Sequence, residues 1–344
     1  MKKKVFIILT SIVIVLITII LVVFKGSIFS NVTDKAKDGY VYVYDNENLL
    51  QVADSLEQQG LIKSADGLLK TARIMGFSDK HLIPGRYQVK PGWNNVQLLD
   101  FLSRGKQSPV NLVVNPVRKV ENLASVVGKR LEYDSLDFVV ALTDTLLLDS
   151  LGVNKYNAMT LFIPNTYQVY WTIKPKSFLH KMKKEADQFW ESDGRLNKLK
   201  ELGMTKEEVY TLASIVDKET LADAEKPTVA GLYLNRLKMG MPLQADPTVV
   251  FANNDFTIKR VTNKHTAIKS PYNTYLNKGL PPGPISMATA SGIDAVLNHE
   301  KHNYLYMCAR PDTSGRHNFA ETFEAHVQFA NIYRDWLTKQ GLSL

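Results

Sequence analysis

Two carboxylates sit two residues apart in Ala213-Ser214-Ile215-Val216-Asp217-Lys218-Glu219-Thr220, and they are the first candidates for acid–base chemistry. Just upstream, Thr205-Lys206-Glu207-Glu208 fits a capping box, with Thr205 as N-cap and Glu208 at N3. Val209, Leu212, Ala213 and Val216 follow at i, i+3, i+4 and i+7 and form one buried stripe. On such a helix Glu219 lies roughly 70° from the centre of the stripe, and Asp217 roughly 90° off on the other side. The two are therefore about 200° apart and form no shared acid–base pair. Glu219 borders the apolar face, where loss of solvent raises a carboxyl pKa and keeps the proton on, as a general acid requires near neutral pH. The plain alternative is a solvated helix carboxylate.

Three stiff polar loops lie beyond: Leu243-Gln244-Ala245-Asp246-Pro247-Thr248-Val249, Tyr272-Asn273-Thr274-Tyr275 and Gly279-Leu280-Pro281-Pro282-Gly283-Pro284-Ile285. Pro and Gly fix their paths, while Gln244, Asp246, Asn273 and Tyr275 offer hydrogen bonds and a ring face. That combination suits a sugar cleft, and ordinary turn chemistry is the alternative. Asp246 is the one nearby candidate for a second carboxylate, although Asp before Pro also serves turns. Other chemistries fit poorly. Ser214 and Lys218 are four apart and miss the S-x-x-K spacing. His299-Glu300-Lys301-His302 misses the H-E-x-x-H zinc motif, and no Gly-rich phosphate loop is present. Cys308, the single cysteine, excludes an internal disulfide or a zinc site needing several thiolates, and it has no activating partner in sequence. No metal or cofactor is called for.

The elements that must position these residues follow from periodicity. A helix starting near Pro227 buries Val229, Leu232, Tyr233 and Leu237 and stops at Gly240. Before the carboxylates come a strand over 110–117 and helices over 120–130, 135–147 and 175–190, with an aromatic-rich core-and-turn segment at 161–171. Further back, a β-prone run at 40–44 and two helical stretches are followed by a turn and strand at 82–89. A short helix over 96–102 then completes a small α+β module, residues 39–108. Residues 109–344 form a larger mixed α/β domain, so the fold class is α+β.

Residues 5–24 are an apolar run broken only by Thr10, Ser11 and Thr18. As a helix it rises about 30 Å, the thickness of a bilayer's hydrocarbon core. Lys2, Lys3 and Lys4 precede it, which keeps residues 1–4 in the cytoplasm and exports the rest. A cleaved signal peptide is the rival, but the run is long for one and Phe24-Lys25-Gly26-Ser27 is a poor cleavage site. Residues 25–38 then read as a linker. The formal charge of +8 raises nucleic acid as a partner, yet four of the 42 basic residues flank the apolar run. Setting them aside leaves 38 basic against 34 acidic residues, an ordinary surface, so no nucleic acid is expected.

At these residues the sequence resembles the YceG-like endolytic murein transglycosylases (MltG). The matching pieces, in order, are ASIVDKET (213–220), NRL (235–237), LQADPTVV (243–250), YNTY (272–275), GLPPGPI (279–285) and GRHNF (315–319). The anchor and the small module, which looks like the family's LysM-like subdomain, match as well. The resemblance implies cleavage of the β-1,4 bond between N-acetylmuramic acid and N-acetylglucosamine inside glycan strands, leaving 1,6-anhydro ends. It maps the catalytic acid to Glu219, and Asp217 stands where many relatives have Glu. It makes Gln244, Asp246, Asn273 and Tyr275 substrate-binding residues. In the segment that relatives write Glu-Gly-x-Leu-Phe-Pro-Asp-Thr-Tyr, Met159, Thr160 and Asn165 depart here, leaving Tyr167 to shape the cleft. The implied partners are peptidoglycan strands, the cytoplasmic membrane through residues 5–24, and cell-wall synthesis proteins. Two other readings remain open: a muramidase that hydrolyses the same bond with Asp246 as second carboxylate, and a non-catalytic, membrane-anchored glycan-binding or division scaffold.

Overall fold

The computed structural model of the chain describes residues 2–23, 29–37 and 39–341. They divide into two units. One is Met1–Leu112 with Arg130–Tyr133 and Tyr167–Ile173; the other is Val113–Lys129 with Asp134–Thr166 and Lys174–Leu344.

Helix α1 spans Lys2–Val23, and its side chains at 7–18 are all exposed. Among the described residues no helix is long and apolar enough to cross a membrane. The expected span 5–24 falls partly outside them, since the side chains of 5, 6 and 19–24 are not described. The expected linker 25–38 is shorter than its polarity suggests. Val32 and Ala36 are buried, and Val32 bridges to Ile62. The buried Asn31 amide donates to Asn95 Oδ1 at 2.6 Å and to the Ser64 carbonyl at 2.9 Å. A polar segment is thus drawn inward because its one buried amide is fully bonded.

The rest of this unit alternates strand and helix. β1 (Val41–Val43) is followed by α2 (Leu49–Gln58) and α3 (Ala65–Ile74), then β2 (Gly85–Tyr87) and α4 (Asn95–Ser103). β1 and β2 pair antiparallel, Val41 opposite Tyr87 and Val43 opposite Gly85. Each helix starts at a side-chain cap, on Asn48, Ser64 and Asn94 in turn. Together they bury Val41, Val43, Leu56, Leu68, Tyr87, Leu98 and Leu102 in one core. Trp171, from the late segment, stands edge-on to Tyr42 and Tyr44 at 5.0 and 4.8 Å.

β3 (Val110–Val114) pairs with β4 (Asn165–Val169) in a ribbon whose residues divide between the two units. The strand expected to run to 117 stops at Val114, ahead of Pro116, which has no N–H to donate. α5 (Val120–Gly128) follows, and the single helix expected over 135–147 is two: α6 (Ser135–Thr143) and α7 (Thr145–Ser150). Asp144 makes the break. It is extended, and its carboxylate accepts from the amides of Leu146 and Leu147 at the start of the second helix.

The second unit is mostly helical rather than evenly mixed. After β4 come α8 (Pro175–Glu191), α9 (Arg195–Leu202), α10 (Lys206–Glu219), α11 (Lys226–Lys238), α12 (Asp246–Asn253), α13 (Asn263–Thr266) and α14 (Ala290–Leu297). A hairpin of β5 (Tyr306–Ala309) and β6 (His317–Ala320) and a final helix α15 (Phe323–Lys339) close it. α10 is central. Nine of its residues, from Val209 to Asp217, are buried in succession, because other elements surround it rather than covering one stripe.

Candidate active site

Thr205 starts α10 as the capping box predicts: its hydroxyl accepts from Glu208 N at 3.2 Å, while Glu208 Oε2 accepts from Thr205 N at 2.8 Å. Fourteen residues later the helix ends at Glu219, with Thr220 extended. Ser214, one turn before, donates to the Thr211 carbonyl and accepts from Ile285 N at 3.1 Å, tying the Gly279–Ile285 loop to the helix. That loop also needs Gly283, where a Cβ would fall on the Tyr156 carbonyl oxygen.

Asp217 and Glu219 diverge, as the helix geometry requires. Asp217 is buried, 2.7 Å from Lys226 Nζ, and accepts from Thr289 N at 2.7 Å and Thr289 Oγ1 at 3.0 Å. It fastens α10 to the starts of α11 and α14. Glu219 is half-buried and accepts one hydrogen bond, from Tyr233 Oη at 2.7 Å. Burial pushes the Glu219 carboxyl up to about 7, and the charge of Asp246 adds to the rise; the Tyr233 hydrogen bond and Arg236 oppose it. Its place at the carbonyl end of α10 works in the same direction as burial. The Tyr233 phenol is itself raised, by burial first and then by Glu219.

Arg236, one turn beyond Tyr233, is buried, but its donors go elsewhere. Nε bonds the Leu305 carbonyl at 2.6 Å and Nη1 the Leu243 carbonyl at 2.8 Å, with Gln244 Oε1 at 3.3 Å. The guanidinium thereby holds the 243–245 segment beside Glu219. Gln244 takes a left-handed backbone, φ 52°, and its N–H donates to the Thr274 carbonyl at 3.0 Å. Thr248 and Thr274 hydroxyls meet at 2.8 Å beneath it. Asp246 is not in a loop, as its Pro neighbour suggested, but opens α12, with Pro247 in the first turn. It is exposed, and Tyr275 Oη donates to its Oδ1 at 2.6 Å.

Two hollows, of about 240 and 330 Å³, meet at Glu219 and Asp246, which line both. Gln244 and Tyr275 line the larger, together with Tyr233, Arg236, His317 and His326. Glu219, Gln244, Asp246 and Tyr275 therefore come together as the sequence suggested. Asn273 does not join them. It is fully buried, and its amide nitrogen bonds the carbonyls of Thr266 and Ile268, both at 2.8 Å, so it builds the loop that carries Tyr275. Tyr167 is buried in β4, belongs to the first unit and lines neither hollow.

Sequence reasoning missed four neighbours. Tyr233 read only as a core residue, although a buried Tyr hydroxyl seeks a partner and that demand was the available signal. Arg236 lay inside a quoted motif without a role. His317 lay inside the quoted GRHNF motif without a role, yet its N–H and its Nδ1 both meet the Glu225 carboxylate, at 2.7 and 3.0 Å. His326, from α15, stacks on Tyr306 at 5.5 Å, and nothing local marked it.

The sequence profile of the YceG-like family matches residues 41–331. An endolytic murein transglycosylase of Bacillus subtilis is 26% identical over 298 residues, covering 82% of this chain and 81% of that protein. One from Streptococcus pneumoniae is 26% identical over 317 residues, covering 83% of this chain but 56% of that longer protein. Among solved structures, a YceG-like protein of Listeria monocytogenes superposes with a TM-score of 0.55 at 26% identity, covering 84% of this chain and 98% of that one.

Proposed function

Since the chain belongs to the YceG-like family, we propose that it is an endolytic lytic transglycosylase of peptidoglycan, cutting the bond between N-acetylmuramic acid and N-acetylglucosamine within glycan strands. One observation carries the reading: a half-buried carboxyl whose pKa is lifted to about 7, at the junction of two hollows. With Glu219 Oε1 taken by Tyr233, Oε2 carries the proton into the cleft. It passes to the leaving glycosidic oxygen as the bond to muramic C1 breaks. The resulting carboxylate then takes the proton of the muramic C6 hydroxyl as that oxygen bonds to C1. The product is a 1,6-anhydro end, no water is consumed, and Glu219 finishes protonated. One carboxyl acting in both directions suffices, unlike the pair that hydrolases use.

Residues 5–24 serve in this reading as an anchor in the cytoplasmic membrane, supported by their apolar run and the lysines before it. The catalytic unit then works on the outer face of that membrane, alongside cell-wall synthesis proteins, on newly made strands. The small α+β unit corresponds in this reading to the family's LysM-like module.

The test incubates wild type and Glu219→Gln with purified uncrosslinked strands and reads the products by mass spectrometry. Fragments one water lighter than reducing-end sugars, absent with the variant, are the expected result. Reducing ends instead transfer the role to a hydrolase in which Asp246 activates water. Strands bound but uncut by wild type favour the scaffold.

A further inference from the structure

The two hollows beside Glu219 differ in the state of their cations. In the larger, Arg236 bonds the Leu305 carbonyl through Nε and the Leu243 carbonyl through Nη1, and His317 is paired with Glu225. The smaller is lined by Arg118, Lys218 and Lys259 along with Phe251 and Phe256. None of these three cations has a carboxylate within ion-pair distance among the described residues. Arg118 is also held in place: its guanidinium carbon lies 4.5 Å from the centre of the Phe256 ring, with Lys119 Nζ at 5.7 Å from the same ring. A guanidinium resting on an aromatic face keeps its edge donors free, and those donors match a carboxylate. Partial desolvation, and then the neighbouring Arg118, push the Lys218 amine below the ordinary lysine value, against the opposing charge of Asp217.

Taking the proposed function as given, the substrate supplies that anion on one side only. Of the two sugars joined by the scissile bond, the muramyl residue alone bears an acidic substituent. Where the strand has lost its peptide this is a lactyl carboxylate, and where it has not, the stem peptide carries the carboxylates. We propose that the hollow bearing Arg118, Lys218 and Lys259 is the subsite of the muramyl sugar, with these cations holding its carboxylate. The neutral N-acetylglucosamine then occupies the side of Gln244 and Tyr275, so the charge contrast fixes the direction in which a strand lies across Glu219.

The test uses the 344-residue chain in detergent, as wild type, Arg118→Gln, Lys259→Gln and Arg118→Lys. Substrates are uncrosslinked strands with stems intact and the same strands stripped by an amidase. The expected result is KM raised about tenfold for either Gln variant, the scale of one lost charge-assisted hydrogen bond, with kcat within about twofold. Arg118→Lys recovers part of the loss. An effect on stemmed strands alone identifies the stem carboxylate, and one on stripped strands alone the lactyl group. An N-acetylglucosamine oligomer inhibits wild type and Gln variants equally. Unchanged KM on both substrates with both Gln variants overturns the subsite while wild type still makes anhydro ends; kcat lost at constant KM overturns it too. Absence of anhydro ends from wild type sinks the function itself and the subsite with it. Thermal melts check that each variant folds, and if Arg118→Gln is misfolded, Lys259→Gln at its exposed position carries the test.

Discussion

Glu219→Gln should stabilise the protein above about pH 4.5, with nearly all of the gain present by pH 7. The folded carboxyl sits near 7 against an ordinary 4.5, a rise driven mainly by burial. Folding therefore favours the protonated acid. That advantage is complete below about 4.5, shrinks between 4.5 and 7, and is gone above 7, where the folded chain must hold a poorly solvated carboxylate. A difference of about 2.5 pKa units corresponds to about 3 kcal/mol. Gln is neutral at every pH and nearly the same shape, and its Oε1 still accepts from Tyr233. The variant should match wild type at pH 4, diverge between about pH 4.5 and 7 and level off about 3 kcal/mol more stable above that. For a unit of this size that is a rise in melting temperature of roughly 6–12 °C. Paired thermal melts of the two proteins in detergent at pH 4, 5.5, 7 and 8.5 supply the measurement. A difference that does not vary with pH, or a wild type that is the more stable at pH 8.5, refutes the account of a desolvated acid.

The same pKa predicts that kcat/KM falls tenfold per unit above about pH 7, once Glu219 has lost its proton. Tyr233→Phe removes a hydrogen bond that lowers this pKa, so its alkaline limb should lie at higher pH than that of wild type. Asp217→Ala strips the buried Lys226 of one of its two carboxylates and should cost roughly 3 kcal/mol in denaturant unfolding. Thr205→Ala, at the far end of α10, should cost about 1 kcal/mol and leave activity per folded molecule unchanged, as measured by the same melts and product assay.

What the sequence discloses is local. The capping box, the stripe of α10 and the divergence of Asp217 from Glu219 all follow from 3.6-residue periodicity, and the structure keeps them. The break at Asp144 was readable in principle, since an Asp after a Thr can cap a new helix. The buried Asn31 was not: it is polar, it lies in a polar segment, and contacts with residues 63, 64, 93 and 95 draw it inward. Asn273 shows the converse. It looks like a sugar ligand because amides bind sugars, but the same amide satisfies two carbonyls of its own loop, and composition cannot separate these uses. Gly283 gives no warning of its closeness to Tyr156, for that contact joins stretches of chain more than a hundred residues apart.

Asp217 and Glu219, the two carboxylates in the last turn of α10, also explain why one helix end suffices for an acid. Both lose water on folding, so each must find compensation or hold a proton. Asp217 finds a lysine at 2.7 Å and two donors from Thr289, and this binds three helices together. Glu219 finds a phenol, which bonds either protonation state of the carboxyl, and an arginine whose Nε and Nη1 are engaged with the Leu305 and Leu243 carbonyls. Arg236 therefore acts on Glu219 only through its field, and burial outweighs it. The positions that look merely structural, Arg236 and the backbone it grips, thus keep the proton available.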